Sequence, residues 1–449
     1  MTPFRSLPLL AALCAALPFG LQAQSLVALY ESARSYDASY QAARSLYTAN
    51  QTKADQARAG LLPTANLTAG SQLSQLLLYP DMGGSAANID RVFGNYSAGV
   101  GASHPLYRPA NQAAYSQGLK QVELADFQLL AAEQDLLIRV SQAYFDVLGS
   151  QDSLSFVKAQ KTAVAEQLAF ARRNFEVGTS TITDTREAQA RFDLVTAQEI
   201  AAENDLRVKK LGLDQLVGKS GTAPNALQSG ISLPALIPDE VESWVTLSQR
   251  EHPAIKQAAI AVELAQLETR KAEAGNKPTV DLVGNVSAVR NYNGTSSSGA
   301  STLGTKALSG SVGVNLVYPL YNGHATQSRI RETLALEDKA RNDLEGSRRA
   351  VAQGTRTAYF GVVSGQGQVK ALEAAEASSQ SALDANKLGY QVGVRINIDV
   401  LNAQSQLFQT KRDLAKARYD VLVGGLKLRQ ANGTLRAEDL LVVNSLLAR

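Results

Sequence analysis

One passage of this chain occurs twice, about 215 residues apart. The first copy reads Phe175-Glu176-Val177-Gly178, then Ile182-Thr183-Asp184 and Ala188-Gln189. The second reads Tyr390-Gln391-Val392-Gly393, then Ile396-Asn397-Ile398-Asp399 and Ala403-Gln404. Each copy ends one long helical stretch and starts another, so each is expected to be a tight turn between antiparallel helices. Further matches keep the offset: Ala59-Gly60-Leu61-Leu62-Pro63-Thr64 with Ala274-Gly275-Asn276-Lys277-Pro278-Thr279, Pro105-Leu106-Tyr107 with Pro319-Leu320-Tyr321, and Ala143-Tyr144-Phe145 with Ala358-Tyr359-Phe360. Offsets of 214 or 215 throughout argue for duplication of one unit of helix, strand, strand, long helix, turn and helix. Solenoid repeats are far shorter, roughly 20–50 residues. The first repeat is placed at 24–235, the second at 236–432, and a tail at 433–449.

Residues 1–23 have the build of a secretory signal: Arg5, an apolar run from Leu7 to Leu17, and Leu21-Gln22-Ala23 as a small-residue cleavage site. The only cysteine, Cys14, falls inside this segment behind the bulky Leu13, which argues against a lipidated N-terminus. Once this segment is removed, disulfide and thiol chemistry are excluded. No later stretch approaches the 18 or so consecutive apolar residues of a transmembrane helix. Charges nearly balance, with 44 Lys and Arg against 41 Asp and Glu over the full chain, so nucleic acid is not an expected partner.

The intervening stretches are strongly helical. From Pro109 to Val177 almost nothing breaks a helix, and Val140, Ala143, Tyr144, Val147 and Leu148 make one apolar stripe. Long helices are expected over 109–177, 182–218, 324–391 and 397–431. Gly346, Gly354, Gly361, Gly365 and Gly367 mark where the third could bend or break. In the last, Val400, Leu407, Leu414 and Val421 recur every seven residues beside Ala403, Thr410, Ala417 and Gly424, a pattern suited to close coiled-coil packing. An ordinary helical bundle fits the same seam. A compact α/β enzyme does not.

Four stretches differ, near 64–78, 94–106, 279–292 and 309–320. In the third, Val280, Leu282, Gly284, Val286 and Ala288 alternate with Asp281, Val283, Asn285, Ser287 and Val289. In the fourth, Val312, Val314, Leu316 and Tyr318 alternate with Ser311, Gly313, Asn315 and Val317. Such alternation suits strands with one apolar and one wet face, long enough to cross a bilayer when tilted. A soluble sheet packed on helices would alternate too. The expected signal peptide favours the outer membrane, where an open sheet edge is not tolerated. Bacterial barrels start at about eight strands, so four would have to be shared among several chains. Pro80 to Gly84 and Gly294 to Gly299 supply the two hairpin loops.

With these residues in view, the chain closely resembles the TolC family of outer-membrane channel proteins. The match covers essentially all of the chain after the signal. Its most specific marks are Asp399-Val400-Leu401-Asn402-Ala403-Gln404 and Gly425-Leu426-Lys427-Leu428-Arg429-Gln430-Ala431, together with the duplicated Pro-Leu-Tyr and Val-Gly passages. The resemblance implies a mainly α protein with a transmembrane β-barrel portion, four strands per chain in a barrel shared by a homotrimer. It also implies a periplasmic helical tunnel that docks a periplasmic adaptor (membrane fusion) protein and an inner-membrane ABC or RND-type transporter. The Gly424-Gly425-Leu426 region and the non-lipidated N-terminus look more like the type I secretion branch than the efflux branch.

The family's gate lies at the duplicated turns. Carried over by position, Tyr390 and Arg395 would be gate residues on the second turn, with Thr183 and Asp184 as their partners on the first. The planar guanidinium of Arg395 suits a carboxylate better than a lysine would. Solvated turn charges worth under about 1 kcal/mol are the plainer alternative. Asp399, repeated around the trimer, would form an acidic ring selecting cations. Asn402 stands where many members carry a second Asp, so a weaker cation preference is expected. Enzymatic signals are poor: His104, His252 and His324 are far apart and no metal-binding, nucleophile-elbow or phosphate-loop spacing occurs. No enzyme activity, cofactor or metal is expected. A periplasmic coiled-coil scaffold without a pore is the competing non-enzymatic reading.

Overall fold

A computed structural model describes residues 24–78, 89–228, 233–293 and 304–448. The expected signal segment and the cores of both hairpin loops lie outside the described residues. In chain order the elements are α1 (Leu26–Tyr36), α2 (Ala38–Ala59), β1 (Thr64–Leu78), β2 (Ile89–Tyr107), α3 (Pro109–Glu176), α4 (Ile182–Val217), α5 (Val241–Glu251), α6 (Pro253–Glu273), β3 (Thr279–Tyr292), β4 (Thr305–Val317), α7 (Ala325–Gln391), α8 (Asn397–Ala431) and α9 (Asp439–Asn444). Two compact units result: Met1–Gln41 with Glu133–Trp244 and Thr355–Arg449, and Ala42–Ala132 with Val245–Gly354.

The second unit contains the sheet. Its order is β1-β2-β3-β4, antiparallel throughout, with β1 and β4 as open edges. Side chains alternate across a strand, so the register sorts them into two faces. One face is built of rows such as Leu67–Val100–Val286–Gly310 and Ala69–Ala98–Ala288–Leu308. The other carries Thr68–Gly99–Ser287–Ser309 and Asn66–Gly101–Asn285–Ser311. Among the described residues nothing covers the apolar face: Leu308 is 79% exposed and Val312 82%. On the polar face, Ser287 and Ser309 share a hydroxyl bond of 2.9 Å, and Asn95 donates to Asn291 at 2.9 Å.

Two strands differ from the expected bounds. β2 begins at Ile89, because pairing with β1 carries the ladder through the charged Asp90 and Arg91. β4 spans 305–317 rather than about 309–320. Pro319 has no N–H to give a ladder, so Tyr318, Leu320 and Tyr321 extend beyond it as exposed residues. Where β2 hands over to α3, Arg108 grips the buried Asp281 of β3 with two bonds, Nε to Oδ1 at 2.8 Å and Nη2 to Oδ2 at 2.5 Å. Pro109 then opens α3 at the position where its missing N–H costs nothing. At the start of α6, His252 is the N-cap: its Nδ1 accepts the Ala254 N–H at 3.1 Å, followed by Pro253 at the first helical position.

The first unit is a helical assembly with heptad seams. Val400, Leu407, Leu414 and Val421 of α8 are all buried, as their spacing required. Val362, Val369 and Leu383 of α7 keep the same period and pack against them, with Trp244 and Tyr359 closing the upper cluster. The small residues are there for contact. A Cβ added to Gly365 would stand 2.8 Å from Cγ2 of Val421, and one added to Gly424 would stand 3.3 Å from Cγ2 of Val362. Each valine therefore fills a hole that only glycine leaves open. α7 runs without a break through Gly346, Gly354, Gly361, Gly365 and Gly367, where the sequence leaves a bend or break open. Between α3 and α4, Val157, Val164 and Ala171 meet Ala188 and Val195 on another seven-residue seam, joined by Leu401 of α8. Trp244 donates its indole N–H to the Pro238 carbonyl at 2.8 Å, so its polar atom is satisfied without a ligand.

Candidate functional site: the duplicated helical turns

The α3–α4 and α7–α8 turns, both in the first unit, share one backbone device. In the first, Gly178 takes φ +80°, its N–H donates to Phe175 O at 3.0 Å and Thr179 N–H donates to Asn174 O at 2.8 Å. In the second, Gly393 takes φ +80°, its N–H donates to Tyr390 O at 3.2 Å and Val394 N–H donates to Gly389 O at 2.9 Å. This is the Schellman ending, whose left-handed residue favours glycine. The repeated Val-Gly is thus explained by helix termination.

The helix starts that follow have diverged. Thr181 caps α4: its Oγ accepts the Asp184 N–H at 3.3 Å, and the Asp184 carboxylate takes the Thr181 N–H at 3.0 Å and its hydroxyl at 2.9 Å. Both of the latter bonds fall on Oδ2. The corresponding N-cap of α8 is Ile396, which has no oxygen to offer. Asp399 is left to ion-pair with Arg395, Nη1 to Oδ2, at 3.7 Å. Within the chain, then, Arg395 turns to Asp399, while Asp184 serves its own helix. Thr183 is exposed on the first turn of α4.

Arg395 has a prepared seat. Its N–H donates to the Gly389 carbonyl at 3.1 Å, and a Cβ on Gly389 would come within 2.7 Å of its Cγ. The first copy has Asn174 and Ser180 at the matching places, bulk below and little above, the reverse of Gly389 and Arg395. Tyr390 packs edge-on to Phe170 with ring centroids 5.7 Å apart. Burial pushes its phenol above the usual range, and the nearby Asp184 carboxylate adds to the rise.

Two further residues tie the turns together. Asn397 is fully buried; its Nδ2 donates to the Asp184 carbonyl at 3.1 Å, and its Oδ1 accepts from Gln167 of α3 at 2.5 Å. Asn402 accepts from Nη2 of Arg191 on α4 at 2.9 Å. Gly389, Asn397 and Arg191 were not singled out from sequence. Asn397 could have been: a polar residue at the first position of a helix whose copy has Ile182 asks for a buried partner. Among the described residues no group of three or more His, Cys, Asp or Glu side chains is placed to hold a metal, and no helix is long and apolar enough to cross a membrane.

A sheet that is apolar on one face, polar on the other and open at both edges, in one chain with coiled-coil helices joined by capped turns, defines the class of outer-membrane channel subunits. The chain belongs to the outer membrane efflux protein family, whose sequence model matches residues 24–219 and 244–434. It is 32% identical to the outer membrane protein TolC of Vibrio cholerae over 94% of both chains. It is 31% identical to the alkaline protease secretion protein AprF of Pseudomonas aeruginosa, over 79% of this chain and 73% of that one. The fold matches crystal structures of CusC, with a TM-score of 0.76 at 18% identity over 92% of each chain, and of VceC from Vibrio cholerae, with a TM-score of 0.73 at 19% identity over 91% of this chain and 96% of that one. These relatives are outer-membrane channels and not enzymes.

Proposed function

We propose that this chain is one subunit of a gated exit duct in the outer membrane, serving type I secretion or efflux. The observation that carries the reading is the two-faced sheet with two unpaired edges. Lipid cannot satisfy an open edge, so β1 of one copy must pair with β4 of the next until the ring closes. A homotrimer closes it with three such sheets. The apolar face then meets lipid and the Gly/Ser/Thr/Asn face lines the bore. The helices form the periplasmic tunnel, and a periplasmic adaptor engages it on behalf of an inner-membrane transporter of ABC or RND type.

The gate is assigned to the two turns. Thr183, Asp184, Tyr390 and Arg395 hold neighbouring coils at rest, with the free Oδ1 of Asp184 available to an arginine from the adjoining coil. Opening is a shift between two packed arrangements, biased by partner contacts. Asp399 supplies the acidic ring at the entrance and Asn402 its uncharged neighbour. The test is a planar bilayer recording of the purified outer-membrane protein. A pore whose conductance rises in Arg395→Ser supports the assignment; a wild-type conductance in that variant removes the gate. A periplasmic scaffold would instead remain soluble on fractionation and form no pore.

A further inference from the structure

We infer that the lipid-facing side of the sheet holds a binding site for a phosphorylated lipid head group of the outer leaflet, formed by Arg290 and Lys306. The inference rests on the membrane placement proposed above. Arg290 and Lys306 are direct cross-strand partners, and Tyr96 stands opposite Arg290 on its other side. By strand alternation all three belong to the apolar face. Like charges placed opposite each other on a sheet repel, which is a cost without an anion between them. Among the described residues no bond or ion pair to a carboxylate offsets it: the one acid on this face of the strands is Asp90, six residues beyond Tyr96, roughly 20 Å along the strand, and bonded by Gln75 at 2.8 Å.

Position adds the second argument. The helices connect at Thr64, Tyr107, Thr279 and Val317, so the opposite, hairpin ends of the strands point to the cell exterior. From Val280 the apolar face runs unbroken to Ala288, and the Arg290–Lys306 row follows. Ten residues at about 3.3 Å, tilted by about 40°, climb roughly 25 Å, the height of the apolar band of a transmembrane barrel. The two cations therefore sit at the outer water–lipid boundary. Beside them Ala98, Ala288 and Leu308 floor a depression of about 440 Å³ that Tyr96, Arg290 and Lys306 border. An acyl chain fits the floor and a phosphate fits the cations, where a paired Arg and Lys give charge-assisted bonds. Phosphorylated glycolipid is the lipid class that meets both demands at this height.

The experiment uses full-length trimer extracted from outer membranes, with Arg290→Gln/Lys306→Gln and Arg290→Lys variants. Delipidated protein in mixed micelles is titrated with a phosphorylated glycolipid, with the same glycolipid after phosphate removal, and with inorganic phosphate alone. The expected result is binding of the phosphorylated lipid weakened ~10-fold or more in the double variant, an affinity ratio read directly from the titration, and retained within about twofold in Arg290→Lys. Equal binding of the dephosphorylated lipid, or equal binding by the double variant, overturns the site. Saturation by inorganic phosphate alone that excludes the lipid overturns the acyl contribution and with it the proposal. Outer-membrane recovery and single-channel conductance are read on every variant. Loss of those in wild-type protein would count against the membrane placement, whereas their persistence without lipid discrimination counts against the site alone.

Discussion

Asp184 and Asp399 occupy the same position, third in the helix after a Schellman turn, yet only Asp184 is bound to its own N-cap. The difference is one residue three places earlier, Thr181 against Ile396. A cap oxygen holds one carboxylate at the backbone, and its absence releases the other to Arg395. Divergence between the copies thus frees one of the two acids from its own helix start.

Restoring the oxygen should reverse this. Ile396→Thr is expected to draw Asp399 into a capping box, stabilise α8 by about 1 kcal/mol, and lower the cation preference of the pore. Reversal potentials under a salt gradient measure the second effect. Thr181→Val should cost about 1 kcal/mol in thermal or denaturant unfolding and leave selectivity where it was.

Gly389→Ala separates helix propensity from the seat of Arg395. Alanine favours a helix interior by about 1 kcal/mol, so unfolding should not become easier. The new methyl displaces the arginine stem, whose Cγ lies 2.7 Å from where it would stand. Conductance should move toward that of Arg395→Ser. An unchanged conductance would detach the arginine's position from the gate.

Asn402→Asp turns the bond from Arg191 into an exposed ion pair, worth under about 1 kcal/mol in stability. Selectivity should respond more than stability: in the proposed trimer the three added carboxylates are expected to raise the cation preference. Identical permeability ratios in the two proteins would place the selecting charge elsewhere.

At the α7–α8 seam, Gly365→Ala drives a methyl into Val421 and should destabilise the first unit by about 1–3 kcal/mol. Val421→Ala empties the same space and should cost a comparable amount. The double variant is expected to recover part of the loss, because the new methyl then fills the vacated room. Additive losses in a double-mutant cycle would show that the two do not touch.

His252 gives a pH dependence. Burial lowers its imidazole below the usual 6.5, and its Nδ1 can cap α6 only while unprotonated. As pH falls through the unfolded value near 6.5, the unfolded chain binds a proton that the folded chain refuses, so stability declines with falling pH. His252→Asn keeps an N-cap acceptor without that titration. Its melting temperature should fall less than the wild type's between pH 7.5 and pH 5.

Much of this was legible in the residues themselves. The seven-residue period from Val400 to Val421 identified a buried seam, and the alternation from Val280 to Val289 identified a strand with two characters. The ladder at Ile89–Phe93 was not legible, because charged Asp90 and Arg91 break the pattern and only pairing with β1 carries the strand through them. At the turns, the repeated Val-Gly was readable but its use was not. The bond from Arg191 to Asn402 and the burial of Asn397 join residues distant in sequence, and the seat that Gly389 makes for Arg395 depends on how the chain folds back within the turn, so no local pattern announces them.

The polar face of the sheet carries a last implication. Its rows of Thr68, Gly99, Ser287 and Ser309, and of Asn66, Gly101, Asn285 and Ser311, are made of side chains that barely rise from the backbone. In a closed ring the clear diameter at these rows would be fixed by the peptide ladder, with the wall there coated by a thin, exchangeable film of water. Larger apolar side chains on this face, Phe93, Val283 and Val289, lie in other rows, so these two rows form the low, wet bands of the wall. Bands of that kind would be indifferent to what slides past them, and under the proposed function the choice of passenger would fall to the machinery upstream.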